Sequence, residues 1–179
     1  VEDVVFTALA SAQVVLTPEG YHVLDGPVAD KNNARHIELV RRQWSGNAHA
    51  VIKGIGLVTC VYVNPHTDQF WIIDYRLYDP AGDGKSKLEH VHDMLMNVIH
   101  QKRLPFRAVL IYTLYATTAA MLEIEEWGKV DFCPFTDNRQ VEHSARARPS
   151  QSAASLTWSD PALTNGQTIQ FNATPMHPS

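Results

Sequence analysis

AVIKGIGLVTCVYVN, residues Ala50–Asn64, is the stretch whose reading decides the fold. Its β-branched and apolar residues give a long buried strand. NPHTD, Asn64–Asp68, is turn chemistry. QFWIIDYRLY, Gln69–Tyr78, reads as a second long strand, so the two form a hairpin that Asp79-Pro80 and Gly82-Asp83-Gly84 bring to an end. Before the hairpin, Tyr21–Asp25 reads as a short strand following the turn Pro18-Glu19-Gly20. After it, Leu88, Val91, Leu95, Val98 and Ile99 fall on one face of a helix expected over Lys85–Lys102. Arg107–Tyr112 reads as a short buried strand. Ala116–Trp127 reads as a second helix, with Leu122, Ile124 and Trp127 apolar, Glu123, Glu125 and Glu126 turned outward and Gly128 as its stop. Val130–Phe135 is the last strand of this series.

The resulting order, β-β-β-α-β-α-β, predicts an α/β fold. Early strands joined by hairpins and later strands joined by helices make a mixed sheet with helices packed on it. It is also the order of ribonuclease-H-like domains. The expected division is a remnant N-terminal segment at 1–18, a core at 19–143 and an irregular tail at 144–179. Ser144–Ser155 is rich in Ser, Ala, Arg and Pro and reads as a loop. Ser155–Trp158 and Thr168–Phe171 are candidate short strands, and Ala173–Ser179 is expected to be poorly ordered.

At 179 residues the chain has room for one ordinary core. Its longest apolar run, within Ile55–Val63, is far short of the roughly 18 residues of a membrane span. No membrane partner is expected. No basic n-region and apolar stretch open the chain, so no export signal is read, and a cytoplasmic location follows. The first residue is Val1, as in a fragment or a processed product. Cys60 and Cys133 make neither a disulfide framework nor a zinc set, and both read as buried free thiols of a reducing compartment.

Lys and Arg total 15 against 19 Asp and Glu, a net charge of −4, which excludes a globally basic nucleic-acid coat. The charge is unevenly placed. Lys31, Arg35, Arg41, Arg42 and Lys53 face one acid, Glu38, within Lys31–Lys53. A basic segment on an acidic protein suggests a surface for phosphates. Other chemistries are poorly served. His90 and His92 point to different faces of their helix, and no H-x-x-x-H or HExxH brings histidines onto one. His100 lies near the helix C-terminus, where a cation is favourable. There is no G-x-S-x-G. Asp79–Ser86 contains Gly, Lys and Ser near a helix start but lacks the Gly that begins a phosphate loop. Asp25 ends the first strand, where a sheet of this order would hold a metal-binding carboxylate, although Asp25-Gly26-Pro27 is also turn chemistry by itself.

Several stretches carry a family likeness: Ile37–Gln43, Trp44–His49, Val51–Gly56, Phe70–Pro80, Gly82–Lys87, Cys133-Pro134 and Asp137-Asn138-Arg139. With the segments around them, Gly20–Lys31, Ile37–Lys87 and Leu104–Val141 resemble the DDE-type transposases of bacterial insertion sequences. The resemblance implies a ribonuclease-H-like nuclease domain that gathers two Asp and one Glu around divalent metals, usually Mg²⁺. Two such ions, about 3.5–4 Å apart, clamp the attacking and leaving oxygens of a phosphodiester displacement. It further implies cleavage at DNA element ends, strand transfer into target DNA, and assembly with further copies or with an intact transposase.

The site residues depart from that pattern. The family's first strand ends in Asp-Asp-Thr, whereas this chain has Asp25-Gly26-Pro27. Asp25 is the remaining acid and the one candidate metal ligand, and Gly26 stands where a catalytic Asp would be. The family's second motif, Met-Asp-(Ser or Thr)-Trp-Tyr-Ala-Thr, is matched by Ile111–Thr117, with Tyr112 in place of its Asp. A neutral phenol, pKa about 10, cannot replace a carboxylate on Mg²⁺. The third acid, a Glu on a later helix, has no counterpart before Ser179. The expectation is a truncated, degenerate domain that does not cut DNA. DNA contact through Lys31, Arg35, Arg41, Arg42, Lys53 and Arg139 is expected to survive. A non-catalytic DNA binder, an inhibitor of transposition and an inert remnant stand as alternatives.

Overall fold

The computed structural model describes residues 16–33 and 36–134, together with 140–141, 151–152, 155–157, 159–160 and 164. The chain divides into two compact units, Val1–Cys133 and Pro134–Ser179. In the second, β8 (Gln140–Val141) and β9 (Gln151–Ser152) form a short antiparallel ladder. The tail strand expected from Ser155 is not present at its described residues 155–157, and Thr168–Phe171 lies outside the described residues.

The first unit is built on β4 (Ala50–Asn64), fifteen residues long as its sequence predicts. β5 (Gln69–Leu77) returns antiparallel along one edge of β4, and β1 (Tyr21–Asp25) lies antiparallel on the other. β6 (Ala108–Ile111) is parallel to β1, and β7 (Val130–Phe132) is parallel to β6. Across the sheet the order is therefore β5-β4-β1-β6-β7, a mixed sheet.

In this unit two short strands escape the sequence reading, as do β8 and β9 in the second, where Gln151–Ser152 is a strand within the expected loop Ser144–Ser155. β2 (Val28–Asp30) continues β1 in unbroken register: Asp25 faces Thr59 and Val28 faces Gly56. Pro27 separates them because it has no N–H to give the ladder, while its carbonyl still accepts from Leu57 N at 2.9 Å. β3 (Arg41–Ser45) pairs with Ala50–Gly54 on the edge that β5 also uses. Its Arg-rich sequence gives no strand signal, because its ladder to β4 rather than its own propensity makes it extended. β2, β3 and the first half of β4 thus form a ribbon that runs past the carboxyl ends of β1 and β6.

Alternation along β4 sorts the sheet into two faces. Val58, Cys60 and Tyr62 are buried with Leu24, Ile73, Val109 and Ile111. Helix α1 (Lys87–Met96), the π-helical turn Asn97–Gln101 that follows it and helix α2 (Thr118–Glu126) supply Val91, Met94, Leu95, Val98 and Ile124 to the same cluster. On the other face Phe70, Ile72, Val130 and Phe132 are exposed. The expected helix over Lys85–Lys102 is corrected at its start, where Ser86 is the N-cap, accepts from Glu89 N and completes a capping box with the Glu89 side chain. Leu88 is exposed rather than core. At 100° per residue it lies at the edge of the buried stripe of His90, Val91, Met94 and Leu95, roughly a quarter-turn from its centre and in the first turn of the helix. The second helix is likewise shorter than expected, with Thr117 as N-cap and Leu122 exposed. Cys60 is buried and Cys133 only half-buried, and neither is in a disulfide. No described helix is long and apolar enough to cross a membrane.

Among the described residues His22 is the one buried histidine on a strand. Its ring packs edge-on to Tyr62 and Phe106, with Nδ1 3.8 Å from Cys60 Sγ. Burial first, and the Lys129 charge second, push its pKa down to about 3. Between its unfolded value of about 6.5 and that folded value, only the unfolded chain binds the proton. His22 therefore leaves stability unaffected above about pH 6.5 and lowers it by about 1.4 kcal/mol per pH unit as the pH falls through this window. Urea unfolding at stepped pH should show a shallower acid loss for His22→Leu than for the parent chain. Equal slopes would show that the ring does not stay neutral in the fold.

Candidate functional site

The parallel register of β1 and β6 sets the site. Leu24 faces Ile111, and Tyr112 N donates to Leu24 O at 3.3 Å, so Asp25, the last residue of β1, and Tyr112, the first after β6, follow one another's register at the carboxyl ends of adjacent strands. Both are exposed, Tyr112 at 41%. Asp25 Oδ1 accepts from Gly26 N at 2.7 Å, an arrangement that fixes the carboxylate against its own turn.

Tyr115 and Lys87 join them; both stand in stretches that the family likeness covers, but the sequence gives neither a role there. Tyr115 is buried at 2% exposure, and burial raises its phenol pKa, with the charges of Asp25 and Tyr112 adding to the shift. Its hydroxyl fills the space beside Gly26: a Cβ at position 26 would lie 1.8 Å from Tyr115 Oη. Lys87 Nζ lies 3.5 Å from Gly26 O and 5.3 Å from the Tyr78 ring centre. Burial lowers the Lys87 pKa, and Asp25 partly offsets this by favouring the ammonium. The turn between β3 and β4 also reaches the site, since a Cβ at Gly46 would stand 2.9 Å from Tyr112 Oη.

Divalent metal does not fit this donor set. Mg²⁺ takes hard oxygen ligands, mostly carboxylates and water. Here one carboxylate stands among two phenols, with a lysine ammonium close enough to respond to its charge. Among the described residues no group of three His, Cys, Asp or Glu side chains is placed to hold a metal ion. Four acids elsewhere are engaged in ion pairs: Asp79 Oδ1 with Arg41 Nη2 at 2.8 Å, Asp93 with Lys85 at 2.5 Å, Glu123 with His92 Nδ1 at 3.0 Å and Asp74 with Arg76. The expected solvated Glu123 is thus a bridge between the two helices. His90, expected as structural or solvent-facing, is buried, with Nε2 3.2 Å from Asp83 Oδ2 but not aligned for a hydrogen bond.

The basic residues divide between the two faces of the ribbon. Arg41 is half-buried against Asp79, and its guanidinium lies 5.5 Å from the Tyr78 ring centre. Arg42 and Lys53 are exposed and directly opposed across the β3–β4 ladder. Lys31 N donates to Lys53 O at 2.9 Å on the other edge, so Lys31, Lys53 and Arg42 form one row across three strands. Trp44 and Val51 are opposed one pleat further on and share that face, exposed at 56% and 52%. Arg35 and Arg139 lie outside the described residues.

The chain matches no protein-family model and no curated protein sequence.

The Gly26–Tyr115 contact has a measurable cost. Gly26→Ala should lower stability by about 1–3 kcal/mol through overpacking, and Tyr115→Phe in the same chain should recover part of it by removing the hydroxyl. Thermal unfolding of the two single variants and the double variant checks this. Full additivity would show that the two positions do not compete for space.

Proposed function

We propose that this chain is the nuclease domain of a DDE-type transposase, ribonuclease-H-like in fold, that has lost strand cleavage and keeps DNA binding. The observation that carries the reading is the register that sets Asp25, the last residue of β1, and Tyr112, the first after β6, one position beyond the Leu24–Ile111 pair at the carboxyl ends of two adjacent parallel strands. That is where a domain of this kind holds its first two acids. The β5-β4-β1-β6-β7 order, three antiparallel strands followed by two parallel ones, supports the same fold.

The loss of cleavage follows from the chemistry of the site. In-line displacement at a phosphodiester needs its developing charge neutralised by cations held in place. A lone Asp25 beside Tyr112 and Tyr115 offers too little negative charge for them, and Lys87 already answers part of it. Gly26 has no room to regain a side chain while the Tyr115 hydroxyl stays where it is. DNA binding needs no such site. It needs only cations spaced along a surface, and Lys31, Lys53 and Arg42 provide them.

The experiment has two arms. Supercoiled plasmid incubated with the purified full chain and Mg²⁺ or Mn²⁺ should remain uncut, and metal-dependent nicking would overturn the loss of catalysis. In a gel shift, linear duplex should bind at low salt and weaken steeply as salt rises, with Arg42→Glu and Lys53→Glu abolishing the shift. No binding by the parent chain at low salt would overturn the DNA-binding reading.

A further inference from the structure

We propose that the face of the sheet turned away from α1 and α2 is the docking site of the chain's own first segment, Val1–Val15, lying on it as an amphipathic helix. This pairing of segment and face goes beyond the functional reading above and does not depend on it.

Register builds the face. Two consecutive rows cross β5, β4, β1, β6 and β7, one running from Phe70 to Val130 and the next from Ile72 to Phe132. Every residue in these rows is aliphatic or aromatic. At the two edges Phe70 is 71% exposed and Phe132 59%. Tyr75 and Leu77, also exposed, carry the apolar surface further along β5. β1, β6 and β7 run parallel, and parallel strands are normally covered on both faces. Apolar surface of this extent marks a place where something docks.

Two observations select the occupant. The first is the sequence of the segment. Ten of its fifteen residues are apolar, and Val1, Val4, Val5, Ala8, Leu9 and Ala12 recur at helical spacing. The polar Glu2, Asp3, Thr7, Ser11 and Gln13 all fall outside the arc that these six span, as do Phe6, Ala10 and Val14. The second is where the segment is fixed. The two hydrogen bonds between Thr17 and Tyr62 Oη hold its end at the foot of β1, four residues before Tyr21, the central residue of the first row. Leu16 is exposed there, and the segment belongs to the same compact unit as the sheet, Val1–Cys133. Size decides against a second copy. The face measures roughly 19 Å across its strands and roughly 20 Å along β5. A footprint of about 400 Å² is half of what each partner in a standard protein interface buries, about 800 Å². One helix of fifteen residues, about 22 Å long and about 10 Å across, spans it in either direction.

Hydrogen exchange of the full chain, read by mass spectrometry, tests the docking. Amides of 1–15 should exchange roughly tenfold or more slowly than those of an unprotected chain. Ile72→Asp and Phe132→Asp should each remove that protection, because a carboxylate pressed against apolar side chains is costly, and leave the amides of β4 protected. Leu122→Asp, an exposed site on α2, should change neither. From the other side, Val5→Asp and Leu9→Asp should raise the fluorescence of a dye that binds apolar surface, with β4 still protected. Segment amides that exchange at the unprotected rate in the parent chain would overturn the proposal. So would protection that survives both Ile72→Asp and Phe132→Asp. If those two variants lose the β4 amides as well, Val5→Asp and Leu9→Asp decide, and unchanged dye fluorescence in both overturns it. Protection lost from 142–179 instead of 1–15 would give the face to the tail. A dimer in sedimentation velocity that Ile72→Asp and Phe132→Asp dissociate, with 1–15 unprotected, would give it to a second copy. Either result overturns the proposal.

Discussion

The ladder of β4 is the constraint from which the rest of the structure follows. Its residues alternate without a break from Lys53 to Asn64, so one side chain in two enters the core. Tyr62, Cys60 and Val58 form the floor on which α1 and α2 pack. Tyr62 also reaches beyond the sheet: its hydroxyl donates to Thr17 O at 3.0 Å and accepts from Thr17 N at 2.8 Å, which clasps the chain just before β1. The same strand is three times as long as β1. Its surplus, Ala50–Gly56, has to find partners of its own, and β2 and β3 are those partners. The ribbon is therefore a consequence of strand length rather than an addition to the fold.

Because the ribbon overhangs the carboxyl ends of β1 and β6, site and ribbon are one neighbourhood. Gly46 in its turn meets Tyr112, and Lys87 at the start of α1 meets Gly26. The alternation that buries the core also separates two arginines that are adjacent in the chain. Arg41 belongs to the face shared with Tyr78 and Asp79, where it ties β3 to the end of β5. Arg42 belongs to the opposite face with Lys53 and Trp44. An ion pair between half-exposed partners such as Arg41 and Asp79 adds little stability, about 1 kcal/mol or less. Its effect is to commit Arg41 to the ribbon's inner side.

The strand and helix signals were legible wherever a period was strong and local. Tyr21–Asp25 and Ala50–Asn64 match the sequence reading at both ends, and Gln69–Leu77 differs by one residue. β2 and β3 were not legible. One follows a proline and the other carries Arg41, Arg42 and Gln43, and neither shows a hydrophobic alternation of its own. The candidate site was legible only in part. Asp25, Gly26 and Tyr112 could be named from their motifs. The roles of Tyr115 and Lys87 could not, because the neighbour that defines them, Gly26, lies 89 and 61 positions away along the chain.

The sequence by itself determined which segments extend and which coil, where the long hairpin turns, and that the positive charge gathers between Lys31 and Lys53. These are local properties, set by side-chain periodicity, turn residues and composition. Tertiary structure alone decided that Arg41 and Arg42 part company, that Lys31 and Lys53 become neighbours, and that Gly26 is held without a side chain by the Tyr115 hydroxyl. Each of these depends on pairing register and on the space left between packed elements, and neither quantity exists until distant strands have met.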